Sequence, residues 1–255
     1  MTPAAAAPRL SDQQLLDFSG LVGEADSVEL KLSVPERHQR SAIAALGLDP
    51  LDAQVRLVHF FDTPELDLER TGVVVRARRV QGKGDDSVIK LRPVVPSELP
   101  AGLRRSEGFF VEVDAMPGGF VCSASLKGRP KSPGIRETLH AGRSLRRLFS
   151  KEQRAFYAEH APAGIELDDL RMLGPIFVLK LKGVPEGFGR RLVAELWLYP
   201  DGARILELST KCAPSEAFQV AAELRTYLVS CGLRASTAQQ TKTRKALEFF
   251  ARQAE

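Results

Sequence analysis

Apolar and charged residues alternate in short segments along the whole chain: Val28-Glu29-Leu30-Lys31, Val75-Arg76-Ala77-Arg78, Val88-Ile89-Lys90-Leu91-Arg92, Leu179-Lys180-Leu181-Lys182 and Leu206-Glu207-Leu208-Ser209-Thr210-Lys211. A β-strand turns successive side chains to opposite faces, so a period of two collects the charges on one face and the aliphatic groups on the other. The aliphatic face demands a core, and the charged face demands solvent or a polar cavity.

The pattern between these segments predicts the remaining elements. Ser11 caps a helix over Asp12 to Leu21, the first strand covers Ser27 to Val34, and Pro35 opens a helix from Glu36 to Leu46 that Gly47 stops. A strand through Leu57 to Phe61 leads into a turn at Asp62-Thr63-Pro64, which Asp62 shapes, and Glu65 to Gly72 reads as one helical turn. The β-branched run Val73 to Val80 and the segment Val88 to Val94 form a hairpin across the glycine-rich Gln81 to Asp86. Pro93 to Pro100 reads as an irregular edge loop. Phe109 to Met116 is a strand with Phe110, Glu112 and Asp114 on one face, and the polar share of that face marks Glu112. Within Gly118 to Pro133 only Phe120 to Leu126 has strand character, and helical signals return over Arg143 to Glu159, where Ser150 and Gln153 have capping-box spacing. Three strands follow, Phe177 to Lys182, Leu192 to Tyr199 and Arg204 to Lys211, with a turn at Tyr199-Pro200-Asp201-Gly202. A helix from Pro214 and Ser215 to Cys231 and another from Thr237 and Gln240 to about Arg252 end the chain.

Strands with one charged and one apolar face avoid unpaired edges by closing on themselves. The predicted fold class is therefore α+β: a closed antiparallel β-barrel, or tunnel, with helices packed outside and a C-terminal helical pair. Residues 1–25 form a tail and short helix, and residues 26–255 a single tunnel domain.

Composition narrows the function. With 44% hydrophobic and 27% charged residues the 255-residue chain is an ordinary globular sequence. Its net charge of +4 and pI near 9.0 would suit nucleic acid, yet the basic residues alternate along strands instead of forming a run or one helix face. Nucleic acid is therefore not the expected partner. A lumen lined mainly by Lys and Arg with a few Glu suits a multiply charged anion, with a metal cation as bridge, and a polyphosphate is the candidate.

Cys122, Cys212 and Cys231 lack CxxC spacing and read as reduced core thiols. The Ala/Pro-rich start lacks the pattern of a secretory leader and no apolar run approaches about 18 residues, so a cytoplasmic protein without a membrane partner is expected. Gly82-Lys83-Gly84 is no P-loop, and the chain holds neither a Gly-x-Ser-x-Gly elbow nor a His-Glu-x-x-His zinc motif. His38 and His59 read as structural or exposed, and Trp197 as core or tunnel wall.

The strand Ser27-Val28-Glu29-Leu30-Lys31, the motif Phe61-Asp62-Thr63-Pro64, the pair Arg76 and Arg78, the Lys90 segment and the closing Glu207 strand occur in an order that resembles the CYTH superfamily, or triphosphate tunnel metalloenzymes. The resemblance spans about Asp26 to Phe250 and includes the ending Gln240-Thr241-Lys242-Thr243-Arg244-Lys245-Ala246-Leu247. It implies a tunnel that holds a triphosphate, with divalent ions on glutamates. In that family the first strand reads Glu-x-Glu-x-Lys and a late strand Glu-x-Glu; here Ser27 and Ser209 stand at two of the glutamate positions.

What the resemblance implies for individual residues follows. Glu29 and Lys31 are the catalytic candidates, and Arg76, Arg78, Lys90, Arg92, Lys180, Lys182 and Lys211 are the substrate-binding ones. Glu29, Glu207, Glu195 and Glu112 are the ligands for Mg²⁺ or Mn²⁺. The expected partner is a triphosphate-containing small molecule or polyphosphate, and the expected assembly a monomer or homodimer. Three activities fit: a triphosphatase, a class IV type adenylate cyclase, and a non-catalytic polyphosphate or nucleotide binder whose metal site has degenerated. Structural roles compete at several positions. Arg76 and Arg78 also fit a solvated strand face, Lys180 and Lys182 a protected edge, and Glu112 and Glu195 buried ion pairs.

Overall fold

A computed structural model describes residues 11–130, 134–233 and 242–252. Its strands are β1 (Ser27–Val34), β2 (Gln54–Asp62), β3 (Val73–Val80), β4 (Gly84–Leu91), β5 (Phe109–Met116), β6 (Gly119–Gly128), β7 (Arg171–Gly183), β8 (Leu192–Leu198) and β9 (Arg204–Cys212). The α-helices are α1 (Asp12–Gly23), α2 (Gln39–Ala45), α3 (Asp67–Arg70), α4 (Ile135–His140), α5 (Lys151–His160), α6 (Ala217–Ser230) and α7 (Lys242–Ala251). The strands close into one barrel in the order β1-β5-β6-β4-β3-β2-β7-β8-β9, and helices pack on its outside.

All neighbours are antiparallel except β1 and β5, which run parallel with Glu29 beside Asp114. Parity requires such a pair. Strand direction cannot alternate all the way round a ring of nine strands, so at least one neighbouring pair must run the same way.

The alternation works as the pattern predicts. Along β1 the residues Val28, Leu30, Leu32 and Val34 are buried, while Ser27, Glu29, Lys31 and Ser33 are half-buried. The apolar set faces outward, where it meets Val111 and Val113 of β5, Phe18 of α1, Leu46 beside α2, and Val220, Leu224 and Tyr227 of α6. On the opposite flank Val75 and Ala77 of β3, Ile89 of β4 and Leu126 of β6 pack against Leu68 of α3 and Phe156 and Tyr157 of α5. The main apolar layers thus lie between wall and helices, which frees the inner face of the wall for charge. No helix of the described residues is long and apolar enough to cross a membrane.

Several boundaries differ from expectation. The single helix expected over Glu36 to Leu46 is a 3₁₀ turn, Glu36–His38, followed by α2. The helical stretch Arg143 to Glu159 is divided at Phe149, whose backbone is extended, because Ser150 and Gln153 form a capping box that starts α5 afresh. Gln153 also donates to the carbonyls of Ser87 at 3.2 Å and Leu126 at 3.0 Å, tying α5 to β4 and β6. β7 begins well before Phe177, and its pairing with β2 shifts register between Val58 and Phe60, where an irregularity absorbs Gly174-Pro175. Of the last expected helix, residues 237–241 lie outside the described residues and α7 begins at Lys242.

Asp62 organises the exit from β2. Its carboxylate accepts from the backbone N–H groups of Thr63 at 2.8 Å, Leu68 at 2.9 Å and Glu69 at 3.0 Å, and so caps α3 from a buried position.

His59 of β2 lies on the outward face, 6% exposed, and burial followed by the nearby Arg79 guanidinium pushes its pKa down to about 4. Because the folded value is below the ordinary 6.5, the neutral ring's contribution is complete above pH 6.5 and is lost as pH falls toward 4. At most about 3 kcal/mol is at stake. Urea melts of wild type and His59→Leu at pH 7 and pH 4 are expected to show the larger acid loss in wild type. Equal losses would remove His59 as the cause.

Candidate active site

The inward face of the barrel carries the charged positions of the alternating strands. Cross-strand register sets Glu29 of β1 beside Lys211 of β9 and Asp114 of β5, Glu112 beside Ser27, Lys180 of β7 beside Glu195 of β8, and Glu195 beside Glu207 of β9. Arg76 and Arg78 of β3 face Phe60 and Val58 of β2 on the same side, and Lys90 of β4 lies beside Ser125 of β6.

These side chains form distinct groups. The first is a carboxylate triad, Glu29, Glu112 and Asp114, whose oxygens lie within 4.8 Å of one another and could hold a metal ion. Lys31 Nζ lies 3.0 Å from Glu29 and 2.7 Å from Asp114, Lys90 Nζ lies 3.5 Å from Asp114, Arg92 pairs with Asp114, and Lys211 pairs with Glu112. Burial pushes the Glu29 carboxyl up, but the ammonium groups of Lys31, Lys211 and Lys242 together hold it well below its ordinary value. Lys90 lies well below its ordinary value, first through burial and then through Lys31 and Arg92.

Ser27 and Ser209 belong to this group. Ser209 Oγ donates to Glu29 at 3.0 Å and Ser27 Oγ donates to Glu112 at 3.2 Å, so each hydroxyl holds a remaining carboxylate. Three carboxylates form a set of hard oxygen donors of the type that Mg²⁺ and Mn²⁺ take.

The second group is built on Glu195 and Glu207. Lys180 Nζ lies 2.6 Å from Glu195, and Lys242 Nζ, at the start of α7, lies 2.5 Å from Glu195 and 2.7 Å from Glu207. The indole N–H of Trp197 donates to Glu195 at 3.3 Å.

The third group is a run of guanidinium groups. Arg78 is held by Asp86 through two bonds of 2.8 Å, whereas Arg76 makes no ion pair among the described residues and its buried Nε has no hydrogen-bond partner. Burial, then the neighbouring Arg78, pushes the Arg76 pKa down to about 9. Arg56 of β2 adds a further guanidinium, depressed by burial and by Arg78.

Beside these groups the lumen carries an apolar patch. Val58, Phe60, Ile176, Val178, Trp197 and Ile205 cluster there with Ala246 and Leu247 of α7. Trp197 is thus tunnel wall, as its strand position implies.

Most of the residues singled out from the sequence therefore meet in one lumen, in separate groups. Lys182 shares the inward parity of Lys180 but is exposed near the strand end, and Lys211 is exposed yet reaches Glu112. Asp114 is a site residue beyond those expected from the sequence, although Glu112-Val113-Asp114 repeats the alternation that marked Glu29 and Lys31. Arg56 is another, since it stands just before the predicted second strand. Lys242 lies in the ending that carries part of the resemblance, yet the sequence assigns it no role, because that role arises from where α7 docks.

No protein-family model matches the chain, and no curated protein does. Solved structures do. A putative adenylate cyclase from Bacillus halodurans superposes with a TM-score of 0.61 at 14% identity, covering 87% of this chain and 97% of its own. A putative adenylyl cyclase from Hippeastrum, described as revealing a dominant triphosphatase activity, superposes with a TM-score of 0.60 at 15% identity, covering 87% of this chain and 95% of its own. The chain thus shares the fold of these two structures.

Proposed function

We propose that this chain is a divalent-metal-dependent triphosphatase that hydrolyses inorganic triphosphate or a small organic or nucleoside triphosphate inside the barrel. The observation that carries the reading is Arg76, an unpaired guanidinium with a sealed, unsatisfied Nε, in the same lumen as a convergent carboxylate triad. A buried cation without a carboxylate is costly unless an anion completes it. A triad already surrounded by Lys31, Lys90, Arg92 and Lys211 has cationic charge to spare for such an anion.

In this reading Glu29, Glu112 and Asp114 hold Mg²⁺ or Mn²⁺, which when bound supplies neutralising charge to the phosphoryl oxygens. Ser27 and Ser209 keep two of those carboxylates oriented. Arg76 and Arg78 grip phosphate oxygens through their planar forks, and Lys31, Lys90 and Arg92 neutralise the phosphoryl group under attack. Hydrolysis breaks one P–O–P bridge and releases orthophosphate, and the cationic wall stabilises the charge that gathers on the leaving diphosphate. Because the Hippeastrum protein is described by its dominant triphosphatase activity, hydrolysis ranks ahead of cyclisation.

Phosphate release measured with Mg²⁺ and Mn²⁺ on tripolyphosphate, thiamine triphosphate and ATP tests the proposal. Turnover of at least one is expected, and Arg76→Met is expected to reduce kcat/KM about a hundred-fold. Cyclic AMP as the main product from ATP would replace the proposal with a cyclase. Tight binding of tripolyphosphate without any turnover would replace it with a binder.

A further inference from the structure

We infer that Lys242 is a built-in counter-cation for the second carboxylate pair, Glu195 and Glu207, so that the lumen takes one divalent ion, at the Glu29, Glu112 and Asp114 triad, and not two. The inference rests on the metal-dependent reading above and deepens it.

Glu195 and Glu207 are direct cross-strand neighbours, and their side chains are only 12% and 11% exposed. Two like charges so placed repel, and burial adds to the cost, so the pair needs a cation between its members. That cation can come from solution or from the chain. Here Lys242 Nζ spans both carboxylates at 2.5 and 2.7 Å, and Lys180 takes the other oxygen of Glu195 at 2.6 Å. Two carboxylates and two ammonium groups leave no net charge, so a further dication would be in excess.

The ammonium is also fixed in place. Ala246 and Leu247 anchor α7 on the apolar patch of the lumen, the Tyr199 hydroxyl donates to the Lys242 carbonyl at 3.0 Å, and the Trp197 ring lies 5.0 Å from Nζ. Although burial opposes its charge, the two glutamates hold Lys242 above its ordinary pKa. An incoming ion would have to expel this ammonium from its seat beside the Trp197 ring and then sit beside Lys180.

The triad differs in both respects. It gathers three carboxylates, and Lys211, one of its cations, is half exposed at 50%. Its excess of cationic groups is resolved by an anion arriving with the ion, whereas the Glu195 and Glu207 group is complete without either.

The test is Mn²⁺ titration of the full chain in the presence of a non-hydrolysable triphosphate analogue, imidotriphosphate, against a protein-free blank, followed by electron paramagnetic resonance and calorimetry. Wild type is expected to bind one Mn²⁺ per chain. Lys242→Met, which keeps the length of the side chain and removes its charge, is expected to bind two, and Lys242→Met with Glu207→Gln is expected to return to one. Two ions in wild type, or one in a folded Lys242→Met, would overturn the inference and leave the triphosphatase reading standing. No ion in wild type would overturn both. Glu207→Gln in the otherwise native chain is the control should Lys242→Met not fold: it is expected to retain one ion, and loss of that ion would overturn the inference.

Discussion

Asp114→Asn is expected to lower metal-dependent phosphate release by two to three orders of magnitude while leaving the barrel folded. The magnitude follows from removing one preorganised charge at a phosphoryl-transfer centre. Asp114 is fully buried and is shared by Lys31, Lys90 and Arg92, so its charge both completes the triad and sets the spacing of three cations. Asparagine keeps the volume and one oxygen but loses the anion that opposes the cost of stripping water from a divalent ion. Melting curves should also fall, because Lys90 and Arg92 lose the one carboxylate they pair with among the described residues, so release is compared on variant protein held well below its melting point. Steady-state phosphate release at saturating Mn²⁺ reads the effect. A loss of less than ten-fold in a folded variant would take the triad out of the chemistry.

The largest expected effect on stability lies elsewhere, at Asp62. Asp62→Ala removes one carboxylate that satisfies three backbone N–H groups, those of Thr63, Leu68 and Glu69, in a position 1% exposed. Leaving buried donors unpaired costs about 1–3 kcal/mol each, and partial rehydration through the cavity brings the total to about 3–5 kcal/mol. For a chain of this size that is a fall in Tm of about 10 °C. Asp62→Asn should lose less, because its amide oxygen still accepts, although its NH₂ must then face a backbone donor. Thermal denaturation of the two variants gives the ranking, and an alanine variant as stable as wild type would show that α3 does not need this cap.

The barrel was legible because its signal is local. Alternation in Val28 to Lys31, Val75 to Arg78 and Leu179 to Lys182 reports which face of each strand is wet, and closure then turns a set of wet faces into a lumen. The Ser150 and Gln153 capping box and the turn at Asp62 were legible for the same reason. Groupings within the lumen were not, since they depend on register between distant strands. Glu29 meets Asp114 only because β1 runs parallel to β5, and neither stretch carries a mark of that pairing. Lys242 meets Glu195 and Glu207 only because α7 docks on an apolar patch formed by β2, β7, β8 and β9. Sequence thus located the charges, and tertiary structure decided their partners.

The placement of the apolar layers on the outer skin of the wall separates cohesion from recognition. Leu30, Val75, Ile89 and Leu208 glue strands to helices and take no part in the lumen, while Glu29, Arg76, Lys90 and Glu207 contribute little to that glue. Such a shell is a scaffold whose lining can be exchanged: adding, deleting or inverting interior charges retunes the preferred guest without taxing the casing that presents them.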